Sequence, residues 1–385
     1  MGVTMATGYY PCWEGRVNQD IPPQPTNACP SQALFSNRNL RLRYWLPDPP
    51  GNNFPALQTF WERLSTGITA YRKVAGISGP KLFSQPAAGA TVAGWLQAGD
   101  SRRQSHSPNW SGASVRAVSG GTFSQVVGSW TEPEVERCGT YNTTQEFRSS
   151  IWVGFNGHAS FADAALPQIG TSQQIVYDNQ SSGWQEKHWV WFEWWANTED
   201  SGQASNVKPI YIDLDVEPGD TVLCGIELVP GTNADPSPFV ARMCICVEHL
   251  DETTQPPSLR KVLVMPFIVH PPTIDDRRVQ VSGASANWIA ELPHFLPPVT
   301  QPFLMPRFGP GPTCDSALEF AHCVAARTPL LGQTMDTEVT LAVSRRINMF
   351  GLQADEDTRV VPVATTRTPR QSDTEFAIRV DGNGS

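Results

Sequence analysis

No stretch of this sequence is apolar for long enough to cross a membrane as a helix. The longest, "VLVMPFIV" at 262–269, is broken by proline and reads as a buried strand. Zinc-type CxxC pairs are missing although there are eight cysteines, so neither a metal nor a cofactor is expected. The G-x-S-x-G elbow, the H-E-x-x-H helix and the phosphate-cradling G-x-x-x-x-G-K-S/T loop are absent, and the seven histidines are scattered singly. "DSG" at 200–202 has no second copy with which to form a carboxylate dyad and reads as a turn. These absences leave carboxylate and amide chemistry.

Concentrated positive charge is also lacking where a large domain would need it. Residues 1–104 hold 10 Lys/Arg against 5 Asp/Glu, leaving 18 against 32 for the rest, so the two parts carry +5 and −14. That balance argues against nucleic acid as a partner of the main body; no membrane partner and a monomer are expected. Acid would protonate the body's carboxylates and weaken its attraction for the basic segment.

Thirteen Trp, 34 Pro and 30 Gly, with few long runs of helix formers, point to many short strands joined by turns. Strand signals follow one another from "QVVGSW" through "KHWVWFEWW", "TVLCGIELV" and "FVARMCICVE" to "TEFAIRV". The expected class is all-β, with one antiparallel sandwich domain over 105–385 and a Pro- and Asn-rich N-terminal region over 1–104. Within that region Leu57, Phe60, Trp61, Leu64, Ile68 and Tyr71 recur at helical spacing behind Pro55, which predicts an amphipathic helix near 55–76. The region reads either as a propeptide or as an accessory layer packed on the main domain. "SRRQSHSPNW", dibasic at Arg102-Arg103, reads as a linker, with a processing site at the arginine pair as the lesser reading.

Cys314 and Cys323 flank a short loop and could form a disulfide, whereas Cys244 and Cys246 read as two buried thiols on one strand face. N-x-S/T acceptors stand at Asn109, Asn142, Asn179 and Asn383, and the N-terminus lacks the charged-then-apolar signature of a signal peptide.

Two acids occupy unusual strand positions. In "KHWVWFEWW" a period of two puts Glu193 on one face with Trp189, Trp191 and Trp195, and His188, Val190, Phe192 and Trp194 on the other. Glu193 is then either an edge-strand acid reaching solvent or a cleft carboxyl whose pKa desolvation raises. In "SGASANWIAELPHF", Trp288, Ala290 and Leu292 alternate with Asn287, Ile289 and Glu291, so neither face is cleanly polar.

The blocks "NWSGASV" (109–115), "GSWTEPEV" (128–135), "SSIWVGFNG" (149–157), "LPQIGT" (166–171), "WFEWW" (191–195), "VEPGD" (216–220) and "ANWIAELP" (286–293) occur in that order. Together they resemble the eqolisin, or glutamic peptidase, family over roughly residues 107–325. The resemblance implies a concanavalin-like antiparallel β-sandwich that hydrolyses peptide bonds in acid with a Gln/Glu dyad. It further implies no metal, no sensitivity to pepstatin, a polypeptide substrate and an extracellular location.

By the same matching Gln168 and Glu291 take the catalytic positions, and Trp152, Glu193 and Trp195 line the cleft with Trp110 and Trp191 in support. Asn156 stands in the substrate cleft where the family usually has Asp, Asn287 replaces an acid, and Ser172 follows "QIGT" where an acid is frequent. Fewer carboxyls near the dyad would alter the pKa of Glu291. On the residues alone Gln168 is a strand-end hydrogen bonder, and a lectin-like or pseudoenzyme binding protein on the same sandwich is the alternative. The calcium-type Asp/Asn cluster that a lectin would favour is not found.

Overall fold

The computed structural model describes residues 38–44, 46, 53–72, 74, 76–77, 104–107, 109–117, 121–137, 146–157, 165–178, 181, 183–195, 209–230, 239–251, 253–271, 273–274, 277–278, 281–293, 304–309, 317–327, 337–352, 360–367 and 372–380. The "DSG" turn, the Arg102-Arg103 pair, Cys314 and the acceptors Asn142, Asn179 and Asn383 lie outside them.

Helices α1 (Arg38–Tyr44) and α2 (Pro55–Ser65) come first, then the short strands β1 (Ala70–Arg72) and β2 (Gly76–Ile77). The chain continues with β3 (Gln104–Ser107), β4 (Trp110–Arg116), β5 (Gln125–Thr131), β6 (Val135–Glu136), β7 (Phe147–Phe155), β8 (Leu166–Asp178), β9 (Gly183–Trp195) and β10 (Ile210–Ile212). The later strands are β11 (Thr221–Pro230), β12 (Phe239–Asp251), β13 (Ser258–Val269), β14 (Thr273–Ile274), β15 (Arg277–Arg278), β16 (Ser285–Glu291) and β17 (Arg307–Phe308). They end with β18 (Leu318–Arg327), β19 (Thr337–Val339), β20 (Arg345–Leu352), β21 (Val360–Arg367) and β22 (Phe376–Val380).

The protein is an all-β sandwich built from one continuous, mostly antiparallel ladder folded into two layers. One layer runs β20-β4-β16-β7-β8-β9-β10, the other β22-β18-β5-β11-β12-β13, and β21 carries the ladder from one to the other. Alternation decides what each strand contributes: in β16, Ala286, Trp288 and Ala290 face the core, and in β9 Val190, Phe192 and Trp194 do. The layers meet through contacts such as Phe192 on Phe267, ring centroids 4.9 Å apart, and the Trp288 indole donating to the Val127 carbonyl at 2.7 Å.

Helix α2 lies on the outer face of the second layer, burying Leu57, Phe60, Trp61 and Leu64 over Val127, Leu223, Cys244, Cys246 and Met265. Its first free amides, Ala56 N and Leu57 N, donate to the Glu338 carboxylate at 3.2 and 3.0 Å, so a residue from the far end of the chain caps the helix. From its last turn Arg63 pairs with Glu248 at 2.9 Å, and Lys261 holds the other oxygen at 2.8 Å. Burial opposes ionisation of Glu248, but the two cations outweigh it and keep the carboxyl below its usual range.

The helix is shorter than the periodicity predicts. It stops at Ser65 because Thr66 is extended and Gly67 takes φ +74, after which Ala70–Arg72 pair in parallel with Val262–Val264 of β13. Tyr71 therefore sits in a strand. Four residues later β2 pairs with Tyr211 and Ile212 of β10, so one short segment runs from the edge of the second layer to the edge of the first.

Of the pair Cys314 and Cys323, Cys314 lies outside the described residues and Cys323 is a free, buried thiol. A register shift between Ala321 and Val324 in β18, with His322 at φ +52, turns Cys323 into the core. Cys244 and Cys246 are free and buried, as their spacing suggests.

Candidate active site

The first layer turns one face away from the core, and the period of two assigns its side chains. Register aligns them in cross-strand rows: Trp110, Glu291, Ser150, Ser172 and Trp189; then Ile289, Trp152, Gly170, Trp191 and Tyr211; then Asn287, Gly154, Gln168 and Glu193. Gln168 and Glu291 thus share a face, separated by the row that contains Trp152. In that row Gly170 is packed against its neighbour strand: a Cβ there would lie 1.9 Å from the Ile151 carbonyl oxygen and 2.8 Å from the Trp152 Cα, so only glycine fits between Gln168 and Ser172. Tryptophan and tyrosine line this face, with Trp110 edge-on to Trp152 at 5.0 Å and Trp189 near Tyr211 at 6.2 Å.

Glu291 ends β16 and is 6% exposed. Its Oε1 accepts from Asn109 Nδ2 at 3.0 Å and its Oε2 from the Trp152 indole at 2.9 Å. The Trp110 N–H also faces it and favours the ionised form, though outside hydrogen-bonding geometry. Desolvation dominates these donors and raises the carboxyl from its usual 4.5 to about 7.

Gln168, 4% exposed, donates from Nε2 to Glu193 Oε2 at 2.7 Å, which leaves its second N–H available. Glu193 is 1% exposed, and burial, together with the nearby Glu291 charge, pushes its pKa well above the carboxylate range despite the Gln168 bond. The remaining oxygens of Gln168 and Glu193, Oε1 in each, are buried without a hydrogen-bond partner, as are the indole N–H groups of Trp110 and Trp191. Unpartnered polar atoms gathered on one aromatic face are what a site for water and a peptide group requires.

The cleft residues Trp152, Trp191, Trp195 and Glu193 all lie on this face, with Trp110 at its edge. Asn156, expected in the cleft, is fully buried at φ +61, its Nδ2 donating to the Ala165 carbonyl and its Oδ1 accepting from Ser282 Oγ and Ala284 N. Asn287 in turn donates to the Asn156 carbonyl at 2.6 Å. Both amides knit loop to strand, which ionised acids could not do by donation. Ser172 pairs with Ser150, Oγ to Oγ 2.7 Å, in the Glu291 row.

Sequence reasoning missed Asn109 as a site residue and read it only as a glycosylation acceptor. It is 1% exposed with its amide on Glu291, so the folded chain cannot present it to a transferase. It also missed the end of the core beneath β8 and β9, where buried Glu132 accepts from Thr171 Oγ1, Gln173 Nε2 and His188 Nδ1 at 2.6–2.7 Å. His188 reaches Glu186 with its other nitrogen at 2.7 Å. Burial disfavours its charge, but the two carboxylates outweigh that and raise it to about 9.

Comparison with known proteins fits this geometry. Residues 108–234 match the Peptidase A4 family. This is the family of eqolisins, or glutamic peptidases, and the Peptidase A4 match contains Asn109, Trp152, Gln168 and Glu193 and ends before Glu291. It supports a glutamic-type peptidase, a hydrolase of polypeptides, in broad terms. No curated protein matches the chain.

Proposed function

We propose that this protein is a glutamic-type endopeptidase in which Glu291 is the base and then the acid, and the Gln168 amide is the oxyanion donor. A water oxygen attacks the scissile carbonyl carbon as its proton passes to Glu291. The carbonyl oxygen takes up the charge against the free Gln168 N–H. Collapse of the intermediate then breaks the C–N bond as Glu291 returns the proton to the leaving amine. What carries the reading is Glu291 itself: a carboxyl nearly closed to solvent, gripped by Asn109 and Trp152, with a pKa of about 7, on the same sheet face as Gln168.

That pKa sets the working range. At pH 4 only about one Glu291 in a thousand is ionised, and the base becomes about tenfold more available with each pH unit up to neutrality. Hydrolysis in acid, as the resemblance implies, is therefore expected to strengthen as the pH approaches neutrality. Tryptophan walls suit an extended chain with large apolar side chains.

Incubating the full chain with a denatured protein across pH 2–8, with and without pepstatin, tests the reading. Cleavage is expected with unit slope up to about pH 7, is expected to resist pepstatin, and is expected to vanish in Glu291→Gln. Cleavage that survives in a folded Glu291→Gln variant would refute it.

A further inference from the structure

We propose that Glu193 works as a neutral carboxylic acid that holds the Gln168 amide in its productive orientation, a positioning residue for the hydrolysis proposed above and dependent on that reading. Three observations carry the inference. Glu193 is 1% exposed, its one hydrogen bond is from Gln168 Nε2 at 2.7 Å, and among the described residues no cation pairs with it. The titratable groups that face it make ionisation harder: Glu291 from β16 adds a like charge, and Tyr211 from β10, itself buried and held above its usual range, offers none of opposite sign. Its Oε1 is buried and unpartnered, an orphan acceptor if the group is a carboxylate.

One proton removes the difficulty. Protonated on Oε1, Glu193 becomes a donor there, able to serve the oxygen of a bound water or peptide, and Gln168 Oε1 is an equally unpartnered acceptor. Oε2 goes on accepting from Gln168 Nε2. The amide is then fixed, with its second N–H left for the substrate. Freed from Glu193, the amide could rotate and present its oxygen, which repels an oxyanion. Burial of the site also explains why an acid here does not compete with Glu291 for the role of base: a group that stays protonated accepts no proton from water.

Two measurements test this. Glu193→Gln keeps a neutral acceptor and a donor in the same shape, so its kcat should stay within about threefold of the parent. Glu193→Ala should lose about 30-fold in kcat, the lower range for a misplaced oxyanion donor, with KM changed by less than about threefold. Independently of activity, the infrared difference between parent and Glu193→Gln at pH 8 should contain the C=O stretch of a protonated carboxylic acid. A parent without that band overturns the proposal, as does a Glu193→Gln variant that loses as much kcat as Glu193→Ala. A chain that has the band and cleaves no peptide ends the peptidase reading and the positioning role with it, while the neutral Glu193 stands.

Discussion

A carboxyl that is easier to protonate in the folded protein than in the unfolded chain weakens the fold whenever it is ionised, and Glu291 provides a measurable case. Folding raises it from 4.5 to about 7, a gap worth about 3 kcal/mol. The sign follows from proton counts: between those values the native state binds more protons than the unfolded state, so stability falls as pH rises. The penalty is nil below about pH 4.5 and complete above about pH 7. Glu291→Gln removes the titration but keeps the shape, although its NH₂ must face one of the two donors, Asn109 or Trp152, at a pH-independent loss of about 1–3 kcal/mol. Guanidinium unfolding of both proteins at pH 4 and pH 8 separates the two contributions. The stability of the variant relative to the parent should improve by about 3 kcal/mol from the lower pH to the higher. A change below about 1 kcal/mol, or one of opposite sign, would refute the claim that burial dominates at Glu291.

Further outcomes follow from the same contacts. Asn109→Ala removes a donor to Glu291, so the rising limb of kcat/KM should move up by about one pH unit, read from pH-rate profiles of both proteins. Gln168→Ala should lower kcat by about 100-fold or more without unfolding the chain, checked by kinetics and circular dichroism. His188, raised to about 9, contributes stability that is complete below about pH 6.5 and lost as pH climbs through 9; His188→Gln should flatten that loss in unfolding curves at pH 7 and 10. Trp61→Ala leaves a cavity between α2 and the second layer and should destabilise the protein by about 3–5 kcal/mol while leaving the pH-rate profile of the remaining folded enzyme unchanged.

The sandwich was legible because period-two alternation is a local property: β9 and β16 can be split into faces by counting. Both acids were legible for the same reason, since each interrupts an apolar face. Positions whose meaning depends on distant partners were not. Asn109 is 182 residues from the carboxylate it holds, and its local motif suggested a surface sugar instead. The length of α2 was overread because Ile68 and Tyr71 happen to continue its spacing, while the pairing of Ala70–Arg72 with β13 and the turn at Gly67 take those residues out of the helix. Cys323 looked like half of a loop disulfide until the shift in β18 turned it inward. His188 was dismissed as isolated, and in sequence it is; its partner Glu132 arrives from the opposite layer.

The placement of β1 on β13 and β2 on β10 bears on how the protein behaves in a crowded solution. The two receiving strands stand at the ends of their layers, where unpaired amides and carbonyls would otherwise invite strands from other molecules. Ala70–Arg72 and Gly76–Ile77 cover part of both margins with the chain's own backbone. A cut at Arg102-Arg103 would therefore leave the earlier segment attached through these ladders and through α2, as a two-chain particle. Stripping that segment away would bare β10, which carries Tyr211 beside the proposed cleft, and β13 behind it. The product would be a sheet open at both sides, prone to add strands and clump. The backbone that covers the second layer's margin and the backbone that backs the cleft wall thus belong to two neighbouring strands, β1 and β2.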